Sequence, residues 1–323
     1  MELIPQILLL VAGFVLLIKG ADFFVDGASS TASNFKVPKI LIGLTIVAFG
    51  TSAPELAVSL QALSSGSTDM VLGNVIGSNI INVLLILGVA AVIRPLKIRD
   101  DTIKKEIPIA ILISTLLVVL FLDIQLGSGV TNQVTRSDAI AILLFFAVFL
   151  YYLIRTAISE HKRGKGQKAT EKPRWKLLPS LGIVIMGLVG IIVGSELVVD
   201  SASNIATHIG MSERLISLTI IALGTSLPEL VTTIVSAKKG ETDLVLGNIL
   251  GSNIFNICIV LGIPVAIFGT ITPASFQAVD LIVLIFSAIL LWVFSVSKHI
   301  ISRLEGALML LAFAVYYTVI FIV

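Results

Sequence analysis

The stretch Gly50 to Ala57 reads GTSAPELA, and Gly224 to Val231 reads GTSLPELV. A second pair follows, because Gly73 to Asn82 reads GNVIGSNIIN and Gly247 to Asn256 reads GNILGSNIFN. Equivalent residues lie 174 positions apart in both pairs, as Glu55 and Glu229 do. A repeat in register over this length predicts that the chain consists of two copies of one structural unit.

The composition is that of a membrane protein. Hydrophobic residues make up 56% of the 323 residues, charged residues only 13%, and the mean hydropathy is +1.06. Apolar runs of about 20 residues predict membrane-spanning helices, so we expect an all-α integral membrane fold. The single cysteine, Cys258, excludes an intrachain disulfide and a cysteine-based metal cluster. We predict ten spans, near residues 3–25, 37–63, 70–93, 107–126, 138–156, 177–199, 211–237, 244–269, 279–297 and 304–323.

An odd number of spans per copy predicts that the second copy inserts upside down, as an inverted-topology repeat. If the N-terminus is outside, 19 of the 22 lysine and arginine residues lie on the cytoplasmic side, as the positive-inside rule requires. We therefore expect a multi-pass protein of the cell membrane, inner or plasma, with both termini outside and the basic loops in the cytoplasm. The predicted units are a first five-helix repeat (1–156), a basic cytoplasmic linker (157–176) and a second five-helix repeat (177–323).

Proline interrupts two of the predicted spans near mid-membrane. Pro54 and Pro228 each remove a backbone donor and clash with the carbonyl group four residues earlier. The second and seventh predicted spans, helices 2 and 7 in the predicted order, should therefore break there. Freed carbonyl groups are tolerated in hydrocarbon only where they line a polar cavity or meet a partner. Thr51, Ser52 and Glu55 lie near one face of the helix, so each break offers carbonyl, hydroxyl and carboxylate oxygens within one turn.

The helix after each break carries the complementary polar groups. Asparagine and serine recur every four residues and form a polar stripe in both copies, at Asn74, Ser78 and Asn82 and at Asn248, Ser252 and Asn256. The combined ligand set consists of oxygen atoms, which suits sodium, magnesium or calcium and not zinc, copper or iron. Two ionised glutamates give a site charge of −2, which one divalent ion or several monovalent ions balance. Antiport of a divalent against monovalent ions follows as a hypothesis.

At these motifs the chain resembles the cation/calcium antiporters, specifically the prokaryotic type of the sodium/calcium exchanger branch. That family carries G-[TS]-S-x-P-E and G-[NS]-x-x-G-[ST]-N-x-x-[ND], which correspond to residues 43–56 and 73–82 in the first repeat and 217–230 and 247–256 in the second. The resemblance implies alternating-access exchange of three sodium ions for one calcium ion and extrusion of calcium.

The resemblance also implies the ligands. Calcium is expected at Glu55, Glu229 and the carbonyl groups of Thr51 and Thr225. Sodium sites would add Ser52, Ser78, Ser226, Ser252 and the carbonyl groups of Ala48 and Ala222, and Asn82 and Asn256 would line the centre. Asn79 and Asn253 either contact an ion or support the ligands from behind, and we expect the supporting role for Asn74 and Asn248.

Two positions bear on the counter-ion. Potassium-dependent relatives have an aspartate at the position of Asn256, and proton/calcium exchangers have a glutamate shortly after the GN pair, where this chain has Val75-Ile76 and Ile249-Leu250. Sodium is therefore the expected counter-ion without potassium, and proton/calcium exchange and potassium-dependent exchange are the alternatives. A cation channel is the alternative from another class. The sequence predicts no enzyme activity, no cofactor, no nucleic-acid binding and no obligatory protein partner; the expected partners are Ca2+, Na+ and membrane lipid.

The alternative interpretations of these residues are structural. Glu55 and Glu229 would then be protonated groups that join helices, and Pro54 and Pro228 would only kink them. Asp26 and Asp200, which end their helices in both copies, are expected either to lie in the interface as solvated or capping groups or to help gate or attract ions.

Overall fold

A computed structural model describes residues 3–127, 131–162, 173–210, 222–272 and 278–322. Its helices and strands are α1 (Leu3–Phe35), α2 (Lys39–Thr51), α3 (Ala53–Ser64), α4 (Thr68–Ile93), β1 (Leu96–Lys97), α5 (102–121), α6 (Arg136–Lys162), α7 (Leu177–His208), α8 (Ala222–Gly224), α9 (Leu227–Lys239), α10 (Thr242–Phe268), α11 (Ala278–Lys298), β2 (Ile300–Ile301) and α12 (Arg303–Ile322). The chain is therefore helical, as its composition predicts.

Seven of the described helices are long and apolar enough to cross a membrane, and the number is eight if α2 and α3 form one bent span. The sequence predicts ten. The predicted span 107–126 corresponds to α5, whose regular α-helical part, Ile107–Phe121, has only 15 residues. The predicted span 211–237 and the motif at 217–230 begin in residues 211–221, which lie outside the described residues, as do residues 163–172 of the predicted linker.

The two long helices α1 and α7 pack against each other in antiparallel fashion. Gly13 lies near Val198, Gly20 near Ile191 and Gly27 near Val184, so the chain directions are opposed. These contacts are backbone to backbone: a methyl group added at Gly20 would lie 2.7 Å from the nitrogen of Ile191. Small residues permit such close packing of membrane helices.

The helices that follow the two breaks form the centre of the molecule. In the most apolar window of α10, 83% of the residues are buried, against 11% in α12, which lies at the periphery. α10 packs along α2 through Gly247 and Gly251, which lie four residues apart on one face of the helix. A methyl group at Gly247 would lie 2.6 Å from the carbonyl oxygen of Ile40.

Short antiparallel backbone pairings join the two halves. β1 pairs with β2 in an antiparallel ladder, Leu96 opposite Ile301, and Val134 forms an isolated bridge to Ile271. In both cases the segment after the central helix of one half meets the segment before the last helix of the other half. Each last helix then starts with a capping box, in which Thr135 pairs with Asp138 and Ser302 with Glu305. The repeat thus extends beyond the motifs.

We expect Gly187→Ala to destabilise the protein, because the added methyl group would lie 2.5 Å from the backbone nitrogen of Phe24 in α1. Overpacking of this kind costs about 1–3 kcal/mol. Thermal unfolding in detergent measures the effect. The matched control is Gly182→Ala in the same helix, where the methyl group meets open space. An equal unfolding temperature for the two variants would contradict the packing of α1 on α7.

Candidate functional site

Two helix breaks place the glutamates. α2 ends at Thr51, Ser52 leaves helical geometry with φ −87° and ψ 7°, and α3 starts at Ala53 at an angle of 44°. Pro54 thus occupies the first turn of a new helix, where its missing N–H is not needed. Ser226 has nearly the same geometry, with φ −89° and ψ 5°, and precedes α9. The breaks predicted at Pro54 and at Pro228 are confirmed.

Each glutamate lies in the first turn of the helix that follows its break. The N-terminus of a helix carries partial positive charge and unpaired N–H groups, which favours a carboxylate there. Both side chains are buried, Glu55 at 1% exposure and Glu229 at 0%. The breaks therefore hold two carboxyl groups in the interior, each with a helix end directed at it.

The two copies meet at these carboxyl groups. Ser52 of the first copy donates a hydrogen bond of 2.9 Å to Oε1 of Glu229 in the second, and Ser252 donates a longer one of 3.4 Å to the same oxygen. Ser226 of the second copy lies beside Glu55 of the first, and the two carboxyl groups are close enough for their charges to interact. The site is therefore shared between the copies.

Two asparagines fix the broken helices from the side. Asn74 donates to the carbonyl oxygen of Glu55 at 3.1 Å and to the hydroxyl of Ser59 at 2.9 Å. Its equivalent, Asn248, donates to Thr233 at 3.1 Å and accepts from the hydroxyl of Thr51 at 3.1 Å. Both asparagines thus bond a hydroxyl four residues beyond a glutamate, and Asn248 also joins the two copies.

Amide groups meet in the middle of the site. Asn82 donates to Oδ1 of Asn253 at 3.0 Å, and Asn253 donates to the carbonyl oxygen of Asn79 at 3.4 Å. Asn82 lies at the start of a π-helical stretch, Ile81–Leu87, and Asn256 begins another, Asn256–Leu261. Local π-helix widens the turn and is frequent at functional sites. It occurs here at equivalent positions of the two copies.

Among the described residues, many polar atoms of the site are buried without a hydrogen-bond partner of good geometry. They are both carboxylate oxygens of Glu55, Oε2 of Glu229, Oδ1 of Asn82, the hydroxyl of Ser226 and both amide atoms of Asn79 and Asn256. Burying such groups unpaired is costly, so a concentration of them points to a ligand. Most of these atoms are oxygens of carboxylate, amide and hydroxyl groups. The donor set therefore fits hard cations.

The structure gives the burial of most predicted ligands. Ser78, Asn82, Ser252 and Asn256 are buried, Thr225 is partly buried, and the carbonyl oxygen of Ala48 already accepts from the backbone nitrogen of Ser52 at 3.0 Å. Ala222 begins α8, at the edge of the described residues. Which of these atoms contact an ion stays a prediction.

The sequence analysis did not identify Ser59 and Thr233 as part of the network. The sequence repeat contains a signal for them: Ser59 and Thr233 lie 174 positions apart, and each follows a glutamate by four residues.

Comparison of the chain with known proteins identifies its family. The sodium/calcium exchanger protein family matches residues 5–155 and 179–322. The chain belongs to this family. The resemblance drawn from the two motifs is thereby confirmed, and the protein is a membrane antiporter of the sodium/calcium exchanger family.

Individual relatives cover nearly the whole chain. It is 41% identical over 330 residues to the protein CaxA of Alkalimonas amylolytica, covering 99% of each chain. It is 30% identical over 346 residues to the sodium/calcium exchanger MaX1 of Methanosarcina acetivorans, covering 97% of this chain and 98% of that one. The structure of the sodium-calcium exchanger NCX_Mj soaked with 2.5 mM Na+ and 10 mM Sr2+ superposes with a TM-score of 0.83 at 31% identity, covering 97% of this chain and 98% of the other.

We expect calcium to raise the unfolding temperature of the purified protein in sodium-free detergent. A ligand at about 100 times its dissociation constant stabilises the folded state by about 2.7 kcal/mol. Glu55→Gln and Glu229→Gln should abolish this calcium-dependent shift, because each removes one of the two anionic ligands. A calcium titration of thermal unfolding measures it.

Glu196→Gln is the control, since Glu196 is an exposed glutamate within a membrane helix and outside the site. It should keep the full shift. A calcium-dependent shift that survives both Glu55→Gln and Glu229→Gln would place calcium elsewhere.

Proposed function

We propose that the protein exchanges sodium ions for calcium across the membrane by alternating access, at one site built from both halves. The observation that carries the proposal is the buried pair Glu55 and Glu229. Ser52 of the first half donates a hydrogen bond to Glu229, and Ser226 of the second half lies beside Glu55. A site shared in this way changes its exposure when one half moves against the other, which is how transporters with repeated halves operate.

Charge selects the ions. Two carboxylates in a dry interior need compensation of about two positive charges, since a buried unpaired charge costs several kcal/mol. One calcium ion supplies this at Glu55, Glu229 and the carbonyl groups of Thr51 and Thr225. Sodium ions supply it at the surrounding oxygens of Ser52, Ser78, Ser226, Ser252, Ala48 and Ala222, with Asn82 and Asn256 at the centre. The two ion types then compete for one set of ligands, which makes the transport an exchange.

The proposed architecture is ten spans in two inverted five-helix repeats, 1–156 and 177–323, joined by the linker 157–176. The antiparallel packing of the equivalent helices α1 and α7 supports it. So do the two reciprocal connections, β1 with β2 and Val134 with Ile271, which relate the halves by a twofold operation. The positive-inside rule places the linker in the cytoplasm and both termini outside the cell membrane.

Three sodium ions enter for each calcium ion that leaves, so one net positive charge moves inward per cycle. The membrane potential contributes about 2.3 kcal/mol per 100 mV to this charge movement, which favours calcium extrusion. Asn256, an amide in place of a carboxylate, supports exchange that does not require potassium, because the site then lacks a third negative charge.

We expect calcium-45 uptake into sodium-loaded proteoliposomes that depends on the outward sodium gradient. Glu55→Gln and Glu229→Gln should each lower the initial rate by at least about 100-fold, which corresponds to about 2.8 kcal/mol of lost stabilisation. Glu196→Gln should transport like the wild type. External potassium should not change the rate.

The other outcomes identify other functions. Uptake driven by an outward proton gradient in the absence of sodium would establish a proton/calcium exchanger. Uptake that needs potassium with sodium would establish a potassium-dependent exchanger, and uptake without any counter-ion would establish a channel.

The proposed stoichiometry predicts electrogenic transport. In sodium-loaded vesicles each cycle carries one net positive charge outward, so an inside-positive potential should accelerate calcium uptake and an inside-negative potential should slow it. A potassium gradient clamped with valinomycin sets the potential, and the same gradient without valinomycin is the control. Exchange of two sodium ions for one calcium ion is electroneutral, and the potential would then leave the rate unchanged.

A further inference from the structure

A cluster of ion pairs joins the two halves at the end of the molecule where the linker 157–176 enters α7, which we call the linker side. Lys39, at the start of α2, is only 6% exposed along its side chain and contacts both carboxylate oxygens of Glu241 at 2.7 and 2.8 Å. Ser29 of α1 donates to the same carboxylate at 3.1 Å. Glu241 lies between α9 and α10, so this pair ties the first half to the second.

A second set of pairs surrounds Asp26 of α1. Lys239, the last residue of α9, contacts Asp26 at 2.6 Å and Asp22 at 3.4 Å, and Arg174 of the linker contacts Asp26 at 2.7 Å. Asp26 does not end its helix, since α1 continues to Phe35, and its carboxylate connects α1, α9 and the linker.

The cluster lies at the end of a polar path from the ion site. α9 starts beside the site with Glu229 and ends in the cluster with Lys239, about 15 Å further along the helix axis. Between them Thr232, Thr233 and Ser236 are buried on one face of the helix, and the hydroxyl of Thr232 has no hydrogen-bond partner among the described residues. The cluster thus lies at the linker-side end of a stripe of buried hydroxyl groups that begins at the site.

The opposite side differs at the equivalent sequence positions. Ser65 and Ser67 stand where the second copy has Lys239 and Glu241. Val58 and Ala62 stand where it has Thr232 and Ser236. The motifs of the ion site therefore occur in both copies, whereas Lys239 and Glu241 occur in the second copy alone.

We propose that the pairs of Lys39 with Glu241 and of Lys239 with Asp26 form an ionic gate that keeps the linker side closed and sets the resting state open to the other side. The proposal rests on the proposed alternating-access function. Opening toward the linker must move α1 and α2 away from α9 and α10, which separates Lys39 from Glu241. A lysine buried to this degree loses its compensating charge when its partner leaves, so the closed arrangement is favoured until water enters.

The test measures opening on each side with a cysteine reporter. Ser236→Cys lies in the path behind the gate, and Ala62→Cys lies at the equivalent position toward the opposite side; both residues are buried. Each is placed in a Cys258→Ala background and labelled with a small polar methanethiosulfonate reagent in detergent. Lys39→Met and Glu241→Gln should each raise the labelling rate at Ser236→Cys about tenfold, within the usual range of conformational coupling, and should not raise it at Ala62→Cys.

Two further variants sharpen the result. The charge-swapped double variant Lys39→Glu with Glu241→Lys should bring the labelling rate back toward that of the intact gate. Lys104→Met, which breaks an exposed pair with Asp100, should change nothing. An unchanged rate at Ser236→Cys, or equal increases at both reporters, would overturn the gate. Labelling reports the opening of each side and requires no transport, so a wild type that fails to exchange sodium for calcium refutes the proposed function and leaves this measurement intact.

Discussion

The constraint on which the structure depends is the burial of Glu55 and Glu229 in an apolar interior. Carboxylates there must be surrounded by dipoles and cations, because desolvation opposes their charge. Local features of the chain supply these dipoles. Each proline starts a new helix whose N-terminus faces a glutamate, Ser52 reaches Glu229 across the boundary between the halves, and asparagines from α4 and α10 fix the broken helices. Helix ends inside the protein are tolerated because they line this polar site.

Most of this site follows from the sequence because its chemistry is local. Pro54 and Pro228 break helices wherever they stand in a helix interior, and the stripe of Asn248, Ser252 and Asn256 follows from helical spacing alone. The contacts between the copies do not follow. The bond from Thr51 to Asn248 and the ion pair of Lys39 with Glu241 join residues about 200 positions apart, and they depend on how the halves pack. The π-helical stretches at Ile81–Leu87 and Asn256–Leu261 leave no mark in residue type.

Duplication imposes symmetry on the site, and the ion pairs break it. Equivalent residue types from the two copies surround the glutamates, so the residue types of the site give no preference for either side of the membrane. The asymmetry lies at the periphery, where Lys239 and Glu241 replace the serines of the first copy. In a transporter of this design, residues remote from the ligands can set the side of the membrane to which the ion site is open at rest. The ligands then keep the geometry that both ions require.

Charge compensation also explains why a site of this kind exchanges ions instead of conducting them. Passage between the two open states takes the site through a closed arrangement, in which water cannot screen the carboxylates. A site occupied by calcium or by sodium ions carries compensated charge through that arrangement, whereas an empty site carries two exposed negative charges and meets a barrier of several kcal/mol per charge. In the proposed exchange cycle the empty protein therefore returns slowly, each crossing requires an ion, and movement of one ion type is tied to movement of the other. Under this proposal, obligatory exchange follows from the desolvation of Glu55 and Glu229.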